Sequence, residues 1–252
     1  MHIGPWDILL IAGVSTQATV MAYVHHPKWK TLVYSIPIPF TLASLSLGRP
    51  IGVTNVSGLF LLLVYAHSVR LLHLKLRVPI VGAIIVSALA YCAIAAALVP
   101  VLPQTSVAFW VVAGLAWILS GALLLSTAHR DEPGHRTPLP VWIKLPVIAS
   151  VIVGLVAMKS ILQGFMTMFP MVGVVGAYET RHSLWAFSRQ VPVIMLSVVP
   201  MMAVCRLTQE HIGLGPALAL GWVAMFAFLL PLTRWMWRSA HKASASDNSQ
   251  GQ

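Results

Sequence analysis

The sequence predicts an all-α polytopic membrane protein with about nine transmembrane helices, and composition is the first reason. Hydrophobic residues make up 58% of the 252-residue chain, and charged residues make up only 9%. Soluble domains carry about 25% charged residues, so this chain has too few to cover a soluble surface. Its net charge of +10 lies mostly beside apolar runs, where basic residues fix topology and meet anionic lipid. The predicted partner is therefore the lipid bilayer and not nucleic acid.

The length of nine apolar runs, the candidate spans, is the second reason to predict a polytopic membrane protein. A helix needs about 20 mostly apolar residues to cross a bilayer. The second and seventh runs are short and interrupted by proline, so the count needs an independent test. In chain order the runs lie at about 6–24, 31–47, 51–69, 78–99, 106–127, 141–158, 161–178, 184–205 and 213–233.

The distribution of basic residues supplies that test. Lysine and arginine cluster on the cytoplasmic side of membrane proteins. With nine spans, thirteen of them follow odd-numbered spans, and only Arg49, Lys159 and Arg206 follow even-numbered ones. Removing either interrupted span would destroy this asymmetry. The sequence therefore predicts a multi-pass protein of the bacterial inner membrane, with the N-terminus outside and the C-terminus in the cytoplasm.

The two interrupted runs occupy matching positions, which predicts an inverted repeat. Lys28 precedes Pro39 by eleven residues, and Lys159 precedes Pro170 by the same distance. Span one would run inward and span six outward, the inverted arrangement common in secondary transporters. The alternative is a coincidence of prolines among hydrophobic helices. The predicted organisation is a first membrane repeat (1–99, the first half), a linking helix and cytoplasmic loop (100–140), a second membrane repeat (141–238, the second half) and a disordered tail (239–252).

Prolines inside apolar runs indicate where a binding site would lie. Pro37 and Pro39 interrupt span two, and Pro170 interrupts span seven. Proline lacks a backbone donor, so it frees a carbonyl in the preceding turn. Irregular backbone survives in a membrane only against protein or a water-filled cavity, and half-helix ends there bind ions and small solutes. We expect a site where the two spans meet; a kink that only shapes packing is the alternative.

Polar residues at the starts of spans three and eight extend this predicted site. Arg189 lies about 9 Å into span eight, where a charged group usually faces a cavity or a partner. Its partner would be an anionic substrate or Glu179, and snorkelling to the interface is the alternative. Lys159, at the end of span six, is interpreted as an interfacial anchor. The predicted substrate-binding residues are Ser35, Pro37, Pro39, Thr41, Asn55, Ser57, Pro170, Glu179, Ser188, Arg189 and Gln190.

No pattern in the sequence predicts a catalytic centre or a cofactor. HExxH, GxSxG and phosphate-loop motifs are absent, and no acidic pair forms an acid–base couple. Haem held by two histidines would need both within the bilayer, whereas most histidines lie in predicted loops or interfaces. Cys92 and Cys205 lie in apolar runs and are interpreted as packing residues. We expect no cofactor, no metal site and no catalytic residue.

Three segments resemble the small four-span GlpM-like inner-membrane proteins. They are MFPMVGVVGAYETRH (168–182), RQVPVIMLSVVP (189–200) and, more loosely, IPIPFTLASLS (36–46). The first half departs from the pattern, because Gly48, Arg49 and Pro50 stand where the second half has Glu179, Thr180 and Arg181. The resemblance implies a duplicated and fused architecture and supplies no substrate.

The sequence thus favours a small secondary transporter or permease for a small polar or anionic solute. The alternative is a lipid-acting membrane enzyme or an accessory subunit of a membrane complex. Matched helix breaks favour transport, whereas a fold without a repeat would favour the alternative. Substrate, coupling ion and oligomeric state are left open.

Overall fold

A computed structural model describes residues 4–23, 33–127 and 141–250, and the side chains beyond Met236 lie outside this description. Within these ranges every regular element is a helix. The helices are α1 (Pro5–Tyr23), α2 (Ile38–Leu47), α3 (Val53–Leu74), α4 (Ile80–Leu98), α5 (Ser106–Ser126), α6 (Val141–Ala157), α7 (Lys159–Leu162), α8 (Phe165–Met168), α9 (Met171–Glu179), α10 (Leu184–Ile212) and α11 (Leu214–Gln250).

The predicted all-α class is confirmed, and the apolar helices are compatible with a multi-pass membrane protein. Five helices in the described part are long and apolar enough to cross a membrane: α3, α4, α5, α10 and the Leu214–Met236 portion of α11. Shorter apolar helices cover Val33–Leu47 and Ile148–Ala157. The count of nine spans stays a prediction. The backbone of the predicted tail continues α11 as far as Gln250.

The two interrupted runs are broken where proline stands. Pro37 immediately precedes α2, and Pro170 immediately precedes α9. Span seven is also broken a second time, because α7 ends at Leu162 and α8 begins at Phe165. This run of sequence therefore forms three short helices, none of which is long enough to cross a bilayer alone.

Burial separates inner helices from outer ones. The apolar window of α10 is 61% buried and that of α3 is 50% buried, against 28% for α4, α5 and α11. Large side chains such as Leu89 and Ile118 are more than half exposed on α4 and α5, as expected for surfaces that face lipid. The helices α3 and α10 pack against each other at the centre, and α1 packs against α2, α6 and α9. The short helices of span seven are thus enclosed by longer ones.

Candidate functional site

Both interrupted spans line one cavity of about 70 Å³. Ser35, Pro37 and Pro39 contribute one wall, and Pro170 and Gly173 contribute the opposite one. Leucine, isoleucine and valine side chains of α3 and α10 complete the lining. The structure therefore brings together the prolines of the two interrupted spans, which the sequence placed in separate halves.

Pro37 and Pro170 hold the same position relative to the short helix that each precedes. Pro37 has φ −85° and ψ 37°, and Pro170 has φ −73° and ψ 57°. The sequence spacing matched Pro170 with Pro39 instead. By backbone position the equivalent residue is Pro37, two residues earlier, because Pro39 lies inside the first turn of α2.

The side-chain amide of Gln17 donates hydrogen bonds to backbone carbonyl groups at the first proline break. In an unbroken helix the N–H of residue 37 would bond the carbonyl of Val33, and proline has no N–H. The buried Gln17 amide, from α1, donates instead to Val33 O at 2.8 Å and to Ile36 O at 3.0 Å. These carbonyls therefore have donors and are less open to a solute than the sequence suggested.

Gln190 and Ser35 join the two halves beside the cavity. Gln190 Nε2 donates a hydrogen bond of 2.7 Å to Ser35 Oγ, and both side chains are buried. Their sequence separation is 155 residues. Gln190, a predicted site residue of span eight, is thus bonded directly to the cavity wall.

Other predicted site residues make hydrogen bonds away from this cavity. Thr41 Oγ1 accepts from Trp222 Nε1 of α11 at 2.8 Å. Ser188 Oγ donates to Leu184 O at 2.9 Å, a common way for a serine to satisfy its hydroxyl inside a helix. Ser57 is buried in the first turns of α3. None of these three side chains lines the cavity between the prolines.

Glu179 and Arg189 lie on neighbouring helices. Glu179 is the last residue of α9 and is buried, whereas Arg189 lies in α10 and is partly exposed. The two helices are in contact. Neither residue lines the cavity between the prolines, so their predicted pairing and substrate role remain predictions.

A buried ion pair links the halves, and sequence reasoning missed it. Lys159 Nζ donates to both carboxylate oxygens of Asp7, at 2.8 and 2.9 Å. Ser46 Oγ and the backbone N–H of Gly4 also donate to this carboxylate. Asp7 is only 1% exposed and Lys159 is 28% exposed. Lys159, which the sequence predicts to be an interfacial anchor, is therefore a partner of Asp7; a lone carboxylate in the first apolar run was the available signal.

A second, larger cavity of about 280 Å³ lies at the start of α3. Asn55, a predicted site residue, lines this cavity and not the first one. Its Oδ1 accepts from Gly52 N at 2.8 Å, and its Nδ2 donates to Thr167 Oγ1 at 3.2 Å. The side chain of Asn55 thus connects α3 to α8 of the interrupted seventh span.

Comparison with known proteins adds no family to these observations. No family model, curated protein or solved structure matches the chain. In the described part of the chain, no group of three or more histidine, cysteine, aspartate or glutamate side chains is arranged to hold a metal ion. The site must therefore be interpreted from its own geometry.

Proposed function

We propose that this chain is a small secondary transporter or permease of the bacterial inner membrane, with its site where interrupted spans two and seven meet. The observation that carries the proposal is the single cavity lined by Pro37 and Pro39 on one side and Pro170 on the other. Irregular backbone at membrane depth is tolerated where it is enclosed by protein or lines a cavity. Interrupted helices that face each other are the usual frame of a transporter site.

Buried polar atoms beside this cavity support a polar ligand. Gln17 Oε1 and the Tyr65 hydroxyl are buried and have no hydrogen-bond partner within the described residues. Gln17 is bonded to Ile36 O, and Ile36 lines the cavity. Tyr65 lies about one turn of α3 after Leu62, which lines it too. Unsatisfied buried polar groups are uncommon and call for water or a ligand.

The cavity is small compared with most solutes. A volume of about 70 Å³ accommodates a few water molecules but no larger solute. A solute would therefore enter only when the walls move apart, which is the motion expected of alternating access. The cavity walls belong to both halves, so a movement of one half against the other opens it.

Helix packing supports the inverted repeat and the nine-span topology that this function requires. If α1, α2, α3 and α4 correspond to α6, α9, α10 and α11, equivalent helices meet in pairs: α1 with α6 and α3 with α10. The contact of α4 with α9 is likewise mirrored by that of α2 with α11. A duplicated and fused GlpM-like architecture is part of the same proposal.

Reporter fusions at residues 104, 133 and 245 should read outside, inside and inside.

Uptake into proteoliposomes tests the transport function. The full chain would be assayed with phosphate, sulfate, lactate, glycerol and an amino acid, against empty liposomes. Ser35→Ala removes the acceptor of Gln190 and should reduce uptake of whichever solute wild type carries. Ser120→Ala is the matched control, because Ser120 is equally buried but bonds only Trp117 O of its own helix.

Two outcomes would overturn the proposal. One is uptake no faster than in empty liposomes for every solute in the panel. The other is a change in the lipids of the same vesicles, detected by mass spectrometry without uptake, which would identify a lipid-acting enzyme. Equal loss of uptake in Ser35→Ala and Ser120→Ala would show that the site is elsewhere.

A further inference from the structure

We propose that the 280 Å³ cavity at the start of α3 binds a phosphate-type oxyanion. Its role as the entrance for an anionic substrate rests on the transport function proposed above, whereas the binding itself does not. The shared chemistry is a tetrahedral oxyanion, free in solution or carried by a lipid headgroup.

The charge of the lining residues favours an anion. Arg49 and Arg206 both line the cavity, and no lining residue is acidic. In the described part of the chain Arg49 makes no ion pair. Arg206 is 23% exposed and approaches Glu210 only at 4.0 Å, and Glu210 is itself 70% exposed. Such an exposed pair is weak. Arg206 also donates from one guanidinium nitrogen to Ile51 O at 3.5 Å, so its other N–H groups and those of Arg49 remain available for an oxyanion.

Neutral donors surround the two arginines. Gln163, Thr54 and Thr105 line the same cavity, together with Gln104, whose amide donates to Leu102 O at 3.2 Å. The first turn of α3 also forms part of the wall. The first N–H groups of a helix have no acceptor within it, and its dipole favours a negative charge there. Arginines, hydroxyls and a helix start together form a donor set suited to phosphate.

The segment that carries Arg49 is held in place by the second half. Ile51 N donates to Gln209 Oε1 at 2.7 Å, and Gln209 Nε2 donates to Ile51 O at 3.1 Å. The amide of Gln209 therefore fixes both backbone groups of a fully buried residue. A site held in place before binding loses less entropy when the ligand arrives.

Backbone strain is also located at this cavity. Gln163 has φ 47°, one of two non-glycine residues with positive φ in the described part of the chain. Gly164 follows it, and a Cβ there would overlap Thr54 Oγ1 and come within 2.9 Å of Asn55 N. Strained residues cluster at functional sites, where the surrounding structure maintains them. The interruption between α7 and α8 thus lies directly against the start of α3.

Calorimetric titration of the full chain in nanodiscs tests the proposal. Inorganic phosphate is titrated into nanodiscs of neutral phosphatidylcholine, which contain no anionic headgroup. Arg49→Gln and Arg206→Gln should each weaken phosphate binding about tenfold or more, the effect of losing one charged hydrogen-bond donor. Arg234→Gln, which removes an exposed charge of α11 outside the cavity, should bind as wild type does. Arg49 is exposed, so its variant tests the site even if Arg206→Gln does not fold.

A second arm separates the two sources of the oxyanion. Nanodiscs that contain phosphatidylglycerol are analysed by native mass spectrometry for lipid retained on the protein. Retention that is lost in Arg49→Gln and kept in Arg234→Gln supports a headgroup, and phosphate binding with the same pattern supports a free ion. Absence of both, or equal loss in Arg234→Gln, overturns the proposal. Oxyanion binding without any uptake would refute transport alone, and uptake without oxyanion binding would refute this site alone.

Discussion

The two interrupted spans differ in where their backbone finds its hydrogen-bond donors. At the first break, Gln17 of the same half bonds the carbonyls of Val33 and Ile36. At the second break, Tyr91 from α4 of the first half donates to Phe165 O at 2.9 Å. The carbonyl that Pro170 frees, Met166 O, accepts from Phe169 N of the same span at 3.2 Å. The side-chain donor at the break of span two thus comes from its own half, whereas span seven also receives a side-chain donor from the other half.

This difference indicates which contacts a movement of the halves would have to break. The α7–α8 segment, which begins at Lys159 and continues into span seven, contacts the first half at three further places: Lys159 pairs with Asp7, Thr167 bonds Asn55, and Gly164 packs closely on α3. Buried polar groups that lose their partners are costly. We therefore expect span seven, more than span two, to control how easily the two halves separate.

Loss of the ion pair at Lys159 should have the largest effect on stability. Lys159→Met leaves the buried Asp7 carboxylate without its cation and should lower the free energy of unfolding by about 3 kcal/mol. Equilibrium denaturation in mixed micelles measures this change. The double variant Asp7→Asn/Lys159→Met should recover much of the loss, because no buried charge is then left unpaired.

Lys75→Met is the matched control for that experiment. Lys75 is exposed at the end of α3, so the change should remain within about 0.5 kcal/mol. A double variant as unstable as Lys159→Met alone would contradict the assignment of the loss to an unpaired carboxylate.

A side chain at Gly164 should have the next largest effect. Gly164→Ala places a Cβ against Thr54 and the backbone of Asn55, and overpacking of this kind costs about 1–3 kcal/mol. The same denaturation assay measures it. In Gly114→Ala nothing lies within 4 Å of the new Cβ, and replacing a mid-helix glycine should stabilise by about 0.5–1 kcal/mol. Equal effects at both positions would show that α7–α8 does not pack tightly on α3.

Gln17→Leu should have a smaller effect on stability, and the hydrogen bonds that it removes lie within the first half. It removes the donors of Val33 O and Ile36 O, and hydrogen bonds inside membrane proteins contribute about 1 kcal/mol each. We expect a loss of about 1–2 kcal/mol in the free energy of unfolding. Thr16→Val is the control, because exposed Thr16 bonds only Ala12 O of its own helix. A stability unchanged by Gln17→Leu would mean that water replaces the lost donor.

The sequence predicts the proline breaks but not the side chains that form hydrogen bonds with the backbone there. Proline acts on its own helix, so Pro37 and Pro170 could be identified as interruptions without knowledge of the fold. The donors near these breaks depend on tertiary arrangement: Tyr91 and Phe165 are 74 residues apart. Gln17 and Tyr91 carry no local pattern that distinguishes a donor to a broken helix from a packing residue. Apolar periodicity is equally uninformative about which of the two cavities Asn55 lines.

Substitutions at two buried tyrosines test the comparison between the interrupted spans, and their expected effect on the free energy of unfolding is the smallest. Tyr91→Phe removes the donor of Phe165 O and should lower the free energy of unfolding by about 1 kcal/mol. Tyr65→Phe is its matched control, because the Tyr65 hydroxyl is buried and has no hydrogen-bond partner in the described part of the chain. Removing an unsatisfied buried hydroxyl costs no protein hydrogen bond, so stability should be unchanged or slightly higher.

Uptake should show the opposite order: Tyr65→Phe alters a polar group beside the cavity and should slow transport, whereas Tyr91→Phe loosens span seven and should leave the site chemistry intact. Identical effects of the two variants on both stability and uptake would contradict the role of Tyr91 as a donor to span seven.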